Sequence, residues 1–221
     1  MLIITKDTQS KTQKGFTILE LMVASAIFAV ILLVIAVGVM SFTNNYYKGI
    51  ISSETQSVAR SIMSEVSQSV EFGQQFTSGT GNVNWYCIDN TLYAYAPGQQ
   101  VTDNSPSQQL DQGYHGLLVD EAGACSSGPT AAIQKNLKSG NSGIAALGSG
   151  VRELLNQHMR VGVLNINTTN GNIYTIEIEV IYGDNDLLAS TTNFANESCK
   201  SISGSQFCAV ADLTTTVEKR L

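Results

Sequence analysis

The chain is short of charge. Only 14% of its 221 residues are Asp, Glu, Lys or Arg, while 43% are hydrophobic. A soluble domain ordinarily has about a quarter of its residues charged. Low charge with normal hydrophobicity argues against a disordered or basic tail protein. The charge that is present is acidic, 12 basic against 18 acidic residues and a net −6, which disfavours a general nucleic-acid surface. Proline is scarce too. The three prolines, Pro97, Pro106 and Pro129, leave the first 96 residues with nothing to kink a helix. There are two histidines, His115 and His158, and no G-x-S-x-G, H-E-x-x-H, phosphate-loop or C-x-x-C pattern. A thiol nucleophile built from Cys87 or Cys125 with His115 is the one enzymatic arrangement the residue types allow. Lone histidines in polar segments are far more often surface residues, so no enzyme, zinc site or other cofactor is expected.

What the sequence has in excess is one apolar run. Leu21 to Met40 reads LMVASAIFAVILLVIAVGVM, broken only by Ser25 and Gly38. Twenty residues at about 1.5 Å each span roughly 30 Å, the thickness of a bilayer's hydrocarbon core. The run has no polar face, which separates it from an amphipathic core helix. Before it, Lys6, Lys11 and Lys14 outnumber Asp7, so this end stays in the cytoplasm and the rest is exported. No small-residue cleavage site follows Met40, so the segment is expected to be retained. Glu20 stands at the start of the run. A carboxylate entering a membrane is expensive and marks function. In a helix beginning at Phe16 it would sit in the first turn, where the helix dipole favours a negative charge.

Lys14-Gly15-Phe16-Thr17-Ile18-Leu19-Glu20-Leu21-Met22 resembles the class III leader of type IV prepilins and pseudopilins. A short basic leader ends in Gly, followed by Phe, Thr-x-x-Glu and about twenty apolar residues. The resemblance implies cleavage between Gly15 and Phe16 by a prepilin peptidase, then methylation of the new Phe16 amine. An α-amine titrates near pH 8 and is largely cationic at neutral pH. In a packed bundle, Glu20 of one subunit can neutralise the Phe16 amine of its neighbour, a pair tolerable where a lone charge is not. The implied partners are other pilin or pseudopilin subunits, the peptidase and methylase, an inner-membrane assembly platform and, before assembly, lipid.

Beyond Met40 the pattern becomes amphipathic. Phe42, Tyr46, Ile50, Val58, Ile62, Val66 and Val70 recur at mostly four-residue steps, predicting a helix to about Phe72, ended by Gly73. The expected organisation is a cleaved leader at 1–15, a membrane and assembly helix at 16–42, its amphipathic continuation at 43–72, and a head at 73–221. In the head, Val83–Asp89 and Leu92–Ala96 predict a hairpin turning at Asn90-Thr91. Residues 98–148 read as a long decorated loop. Ser149 reads as the N-cap of a short helix, GVRELLNQHM. Asn170-Gly171 predicts a second hairpin. Its later strand alternates Ile176, Ile178 and Val180 with Thr175, Glu177 and Glu179, one face buried and one wet. A last strand is expected from Phe207 to about Glu218. The sum is an α+β, pilin-like fold, a long N-terminal helix packed on an antiparallel sheet of four to five strands. The aromatic hairpin and the late alternating hairpin resemble a minor pilin or a J-type pseudopilin.

Cys87, Cys125, Cys199 and Cys208 all lie on the exported side, which predicts disulfides. Of three possible connectivities, Cys199–Cys208 with Cys87–Cys125 is favoured. The former resembles the C-terminal disulfide loop of type IV pilins. Gly183-Asp184-Asn185-Asp186 is an acidic turn with too few carboxylates for a full calcium shell, and reads as an Asx-rich turn. The leading expectation is a minor pilin-like structural subunit, held in the cytoplasmic membrane with its C-terminus exported, and then part of a periplasmic or extracellular filament. The rivals are a type II secretion pseudopilin, a single-pass anchored binding domain that would not be cleaved, and an exported thiol enzyme with a free cysteine. Removing residues 1–15 takes 12 basic and 18 acidic residues to 9 and 17, a net −8, so direct capture of nucleic acid is not expected.

Overall fold

The structure, a computed structural model, describes residues 15–102, 115–121, 128–137, 148–190 and 194–220. Backbone contacts divide the chain into two units, residues 1–44 and 45–221. Helix α1 (Ile18–Phe72) contributes to both. In the first unit the large apolar side chains from Phe16 to Met40 are 49–82% exposed. Among the described residues α1 is the one helix long and apolar enough to cross a membrane.

In the second unit α1 buries Ile51, Thr55, Ala59, Ile62, Val66 and Val70, spaced by three or four residues along one face. The sequence stripe is met at Ile62, Val66 and Val70. Its earlier members, Phe42, Tyr46 and Ile50, are exposed, because here the buried line runs through Ile51 and Thr55. The Thr55 hydroxyl donates back to the Ile51 carbonyl (2.7 Å), which makes a polar residue tolerable in the core. α1 stops where Gly73 passes under β2: a Cβ there would lie 2.3 Å from Ile88 Cγ2.

Among the described residues the head has eight antiparallel strands in two sheets, not one sheet of four to five. The first has the order β1 (Phe76–Gly79), β2 (Asn84–Ile88), β3 (Thr91–Tyr95), β4 (Leu117–Asp120), β5 (Val151–Glu153). The second has the order β6 (Met159–Asn170), β7 (Ile173–Tyr182), β8 (Ala209–Glu218). One core joins the α1 stripe to both sheets, through Tyr93, Tyr95, Leu117 and Val119 of the first and Leu164, Ile166, Ile176 and Ile178 of the second. The Tyr95 hydroxyl links them directly: it donates to the Leu164 carbonyl (2.9 Å) and accepts from the Leu164 N–H (3.3 Å).

Three local expectations are corrected. The β2–β3 turn is Asp89-Asn90, one residue earlier than read. Asp89 takes a left-handed φ of 53°, and its carboxylate accepts from the Gln74 and Gln75 N–H groups, both at 2.9 Å. Within the expected loop of residues 98–148 lie β4 and helix α2 (Ala131–Asn136). β4 lacks alternation because both its faces are covered. Leu117 and Val119 face the core beneath α1, while Leu118 packs in a second cluster with Ile133 and Leu137. The helix expected after Ser149 is absent; Val151–Glu153 is strand β5, paired with β4. The Glu153 carboxylate accepts from the Leu154 and Leu155 N–H groups (3.1 and 3.0 Å) and from Gly116 and Leu117 (2.8 and 2.9 Å). N–H groups held by a side chain are not available to helical carbonyls.

The β6–β7 hairpin turns at Gly171-Asn172, with Asn170 paired to Ile173. Gly171 alone has positive φ, 54°, as a type II′ turn requires at its first central position. The face of β7 expected to be wet is wet only toward that turn. Residues 183–190 and 194–208 cover its other end, where Ile181, Leu187, Leu188 and Cys208 form a cluster with Phe194 and Cys199. Glu179 is therefore buried, at 3% exposure. The last strand begins at Ala209, because Ser205–Phe207 forms a 3₁₀ turn.

Candidate processing and assembly site

Gly15, Phe16 and Thr17 precede the helix, which begins at Ile18 and not at Phe16. Thr17 explains the start. Its hydroxyl accepts from the Glu20 N–H (3.2 Å), and Glu20 Oε2 accepts in return from the Thr17 N–H (3.1 Å) and the Thr17 hydroxyl (3.1 Å). This reciprocal pair is a capping box, satisfying two N–H groups that the first helical turn leaves orphaned. It also fixes an anion in that turn, against the positive end of the helix dipole. The sequence reading named Glu20 but missed Thr17 as its partner; T-x-x-E ahead of an apolar run is the signal that would have found it. Phe16 is 81% exposed, and a Cβ added at Gly15 would meet no atom within 4 Å.

The other candidate residues fall into separate places. His115 lies beside Glu153 (Nδ1 to Oε2, 3.4 Å), and His158 lies beside Asp184 (Nδ1 to Oδ1, 3.6 Å). Cys199 and Cys208 are joined by a disulfide with a Cα–Cα distance of 5.8 Å. Cys87 is disulfide-bonded as well; Cys125, its expected partner, lies outside the described residues.

In the acidic turn, Gln100 donates to Asp184 Oδ1 (2.9 Å) and to the Gly183 carbonyl (3.3 Å). The buried Arg160 guanidinium donates to Asn185 Oδ1 and to the same Gly183 carbonyl (2.6 Å). Two oxygens of this turn, Asn185 Oδ1 and the Gly183 carbonyl, thus face the protein's own cation. Among the described residues no three His, Cys, Asp or Glu side chains converge as metal ligands. Burial lowers the Arg160 pKa, and the nearby Asp184 and Glu197 charges oppose that shift. Burial also raises the Glu179 carboxyl above its usual value, while the N–H groups of Glu197 (2.6 Å) and Asn196 (2.8 Å), donating to it, pull it back.

Residues 10–36 match the family described as the prokaryotic N-terminal methylation motif. That segment contains Gly15, Phe16, Thr17 and Glu20 and runs into the exposed apolar helix. No curated protein and no solved structure matches the chain.

Proposed function

We propose that the chain is a minor pilin-like structural subunit of a type IV filament system, cut after Gly15 and assembled through α1. The observation that carries this reading is the methylation motif at residues 10–36, leading directly into an apolar helix whose first turn holds Glu20. The bare surroundings of Gly15 support the same reading. Nothing among the described residues requires glycine there, whereas a peptidase cleft that takes the backbone closely would.

In this reading the cut frees the Phe16 α-amine and removes three lysines. The helix stays in the cytoplasmic membrane with the head exported until assembly moves it into a bundle of similar helices. That bundle is as apolar as lipid, so transfer needs only that the two terminal charges find partners. Glu20 of one subunit against the Phe16 amine of the next provides that pairing and sets the docking register. The head is read as a rigid, non-catalytic body. The cysteines described in it are disulfide-bonded, and its two histidines sit against different carboxylates. A pseudopilin of a type II secretion machine would use the same features with other partners.

The test is N-terminal mass spectrometry of protein produced with a prepilin peptidase. The expected first residue is methylated Phe16. Recovery of the intact leader in such cells would overturn the proposal and leave an anchored domain.

A further inference from the structure

The second sheet treats its two edges differently. On the β6 side the register shifts twice, at Val161/Val163 and at Thr168/Asn170. Part of that edge is already occupied. The Gly98 N–H donates to the Val161 carbonyl (2.8 Å), the Val101 N–H donates to the Met159 carbonyl (2.9 Å), and the Tyr95 hydroxyl holds Leu164. Among the described residues strand β8 has no such main-chain partner on its outer edge. It pairs with β7 in unbroken register from Ala209 to Glu218 and contains no proline, bulge or lysine. Among the described residues, the backbone of Val210 to Val217 makes no main-chain hydrogen bond other than to β7. Natural sheets blunt a long edge with bulges, prolines, lysines or a covering loop, because a bare row of N–H and C=O groups is a template for another strand.

From these observations we infer that the β8 edge receives an extended partner segment as a further strand, with apolar residues facing inward and basic residues facing outward. The inward preference follows from Leu213 and Val217, which pack on the rim of the core yet are only partly buried. A strand laid beside them would complete their cover. The outward preference follows from charge. Asp212 and Glu218 are exposed on the other face of β8, Glu177 of β7 lies opposite Thr214 between them, and none of the three makes an ion pair among the described residues. The one Lys or Arg within β6, β7 and β8 is Arg160, which is buried. Opposite charges directly across a strand pair are favourable and like charges are not. The edge is also held in place before anything binds. Past its end, the Arg220 N–H donates to the Glu71 carbonyl (2.8 Å), Arg220 pairs with the Glu71 carboxylate (2.5 Å), and Lys219 Nζ donates to the Gln74 carbonyl (2.8 Å). A partner strand would therefore meet an ordered template, with little ordering cost. This inference does not depend on leader processing.

The experiment uses the full chain in detergent micelles and an end-blocked ten-residue peptide alternating valine and lysine. Binding is read by fluorescence anisotropy, and its location by amide hydrogen exchange. The expected result is saturable binding that slows exchange in residues 210–217 by at least tenfold. Replacing the peptide's lysines with glutamates should weaken binding by about tenfold, since two cross-strand charge pairs reverse sign. Methylating alternate peptide nitrogens on the pairing edge should abolish it. In Asp212→Lys/Glu218→Lys the preference should invert toward the glutamate peptide. Should that variant not fold, Thr214→Lys, which adds one cation to the same face, should weaken lysine-peptide binding several-fold. Protection elsewhere, equal binding of the two peptides, or no protection of 210–217 would overturn the inference. So would protection that rises with protein concentration in the absence of peptide, which would make the occupant a second copy of the chain.

Discussion

Tyr95 performs two functions with one hydroxyl. Its ring is part of the core shared by both sheets, and its oxygen serves both the carbonyl and the N–H of Leu164 on the neighbouring sheet. Tyr95→Phe keeps the ring and leaves two buried main-chain groups without that partner. The expected loss is about 1–3 kcal/mol of unfolding free energy, read as a lower denaturant midpoint with an unchanged slope. Glu179 presents the opposite problem, an acid in a place that disfavours its charge. Burial is the main cause of its raised pKa, with the Asp212 and Glu197 charges adding to it. The folded state therefore holds the proton more tightly than the unfolded chain does. Stability from this group is fully present below the ordinary value of 4.5 and is lost as pH rises through the folded value. Denaturation midpoints should fall over the range just above 4.5 in the native sequence. In Glu179→Gln that fall should be reduced.

The disulfide loop anchors the segment whose N–H groups reach Glu179. Cys199–Cys208 ties Cys199, which packs in the cluster around Ile181, to the residue just before β8, and the Asn196 and Glu197 N–H groups that reach Glu179 lie immediately ahead of Cys199. A loop with a sequence separation of nine is worth roughly 2–3 kcal/mol on the chain-entropy account. The Cys199→Ser/Cys208→Ser variant should lose about that much in a denaturant titration. Hydrogen exchange should rise first at 194–199, before β6 or β7 opens. This element also marks where the sequence was legible and where it was not. The β6–β7 hairpin was readable because alternation and an Asn-Gly pair are local signals. Burial of Glu179 was not, because it arises from residues 194–208 folding back, with Asn196 and Glu197 donating to its carboxylate. β4 was missed for a related reason. Three apolar residues covered on both faces are too few to show a period, and Leu117 to Val119 sit among polar, glycine-rich neighbours. At β5 the capping pattern was real in sequence, but Glu153 drew the N–H groups of Leu154 and Leu155 to itself. The leader was the most legible part, since its spacing in the chain is itself the motif. The pairing of Thr17 with Glu20 was legible there too, as a T-x-x-E capping box that went unread.

That pairing sharpens the test of assembly for the whole molecule. Glu20→Leu would remove both a charge and a helix cap, so its failure would be ambiguous. Glu20→Gln keeps the cap, because glutamine also completes a capping box, and removes only the charge. Thr17→Ala does the reverse, costing about 1 kcal/mol of local helix stability. If Glu20 neutralises a neighbour's Phe16 amine, Glu20→Gln should be processed and membrane-resident, yet depleted at least a hundredfold from sheared filaments. The basis is the roughly 3–5 kcal/mol cost of stranding one partner of a buried pair. Thr17→Ala should assemble nearly as well as the native chain. Equal incorporation of Glu20→Gln and the native protein would remove the docking role while leaving the cap intact.

The core that joins α1 to both sheets sets an order of events in time. Synthesis delivers the α1 stripe first, yet Leu164, Ile176 and Ile178, which cover it, follow about a hundred residues later, and Ala211 later still. The clasp of Arg220 on Glu71 closes only when nearly the whole chain is available. At ordinary synthesis rates of 5–20 residues per second, the stripe waits several seconds or more with only the first sheet's share of its cover, Tyr93, Tyr95, Leu117 and Val119, available. A nascent chain truncated before residue 209 should therefore stay accessible to holding chaperones and proteases, and protection should appear abruptly once β8 emerges. Late closure of this kind keeps a chain loose enough to thread through a narrow channel, and makes its last strand the step that commits it to a fold.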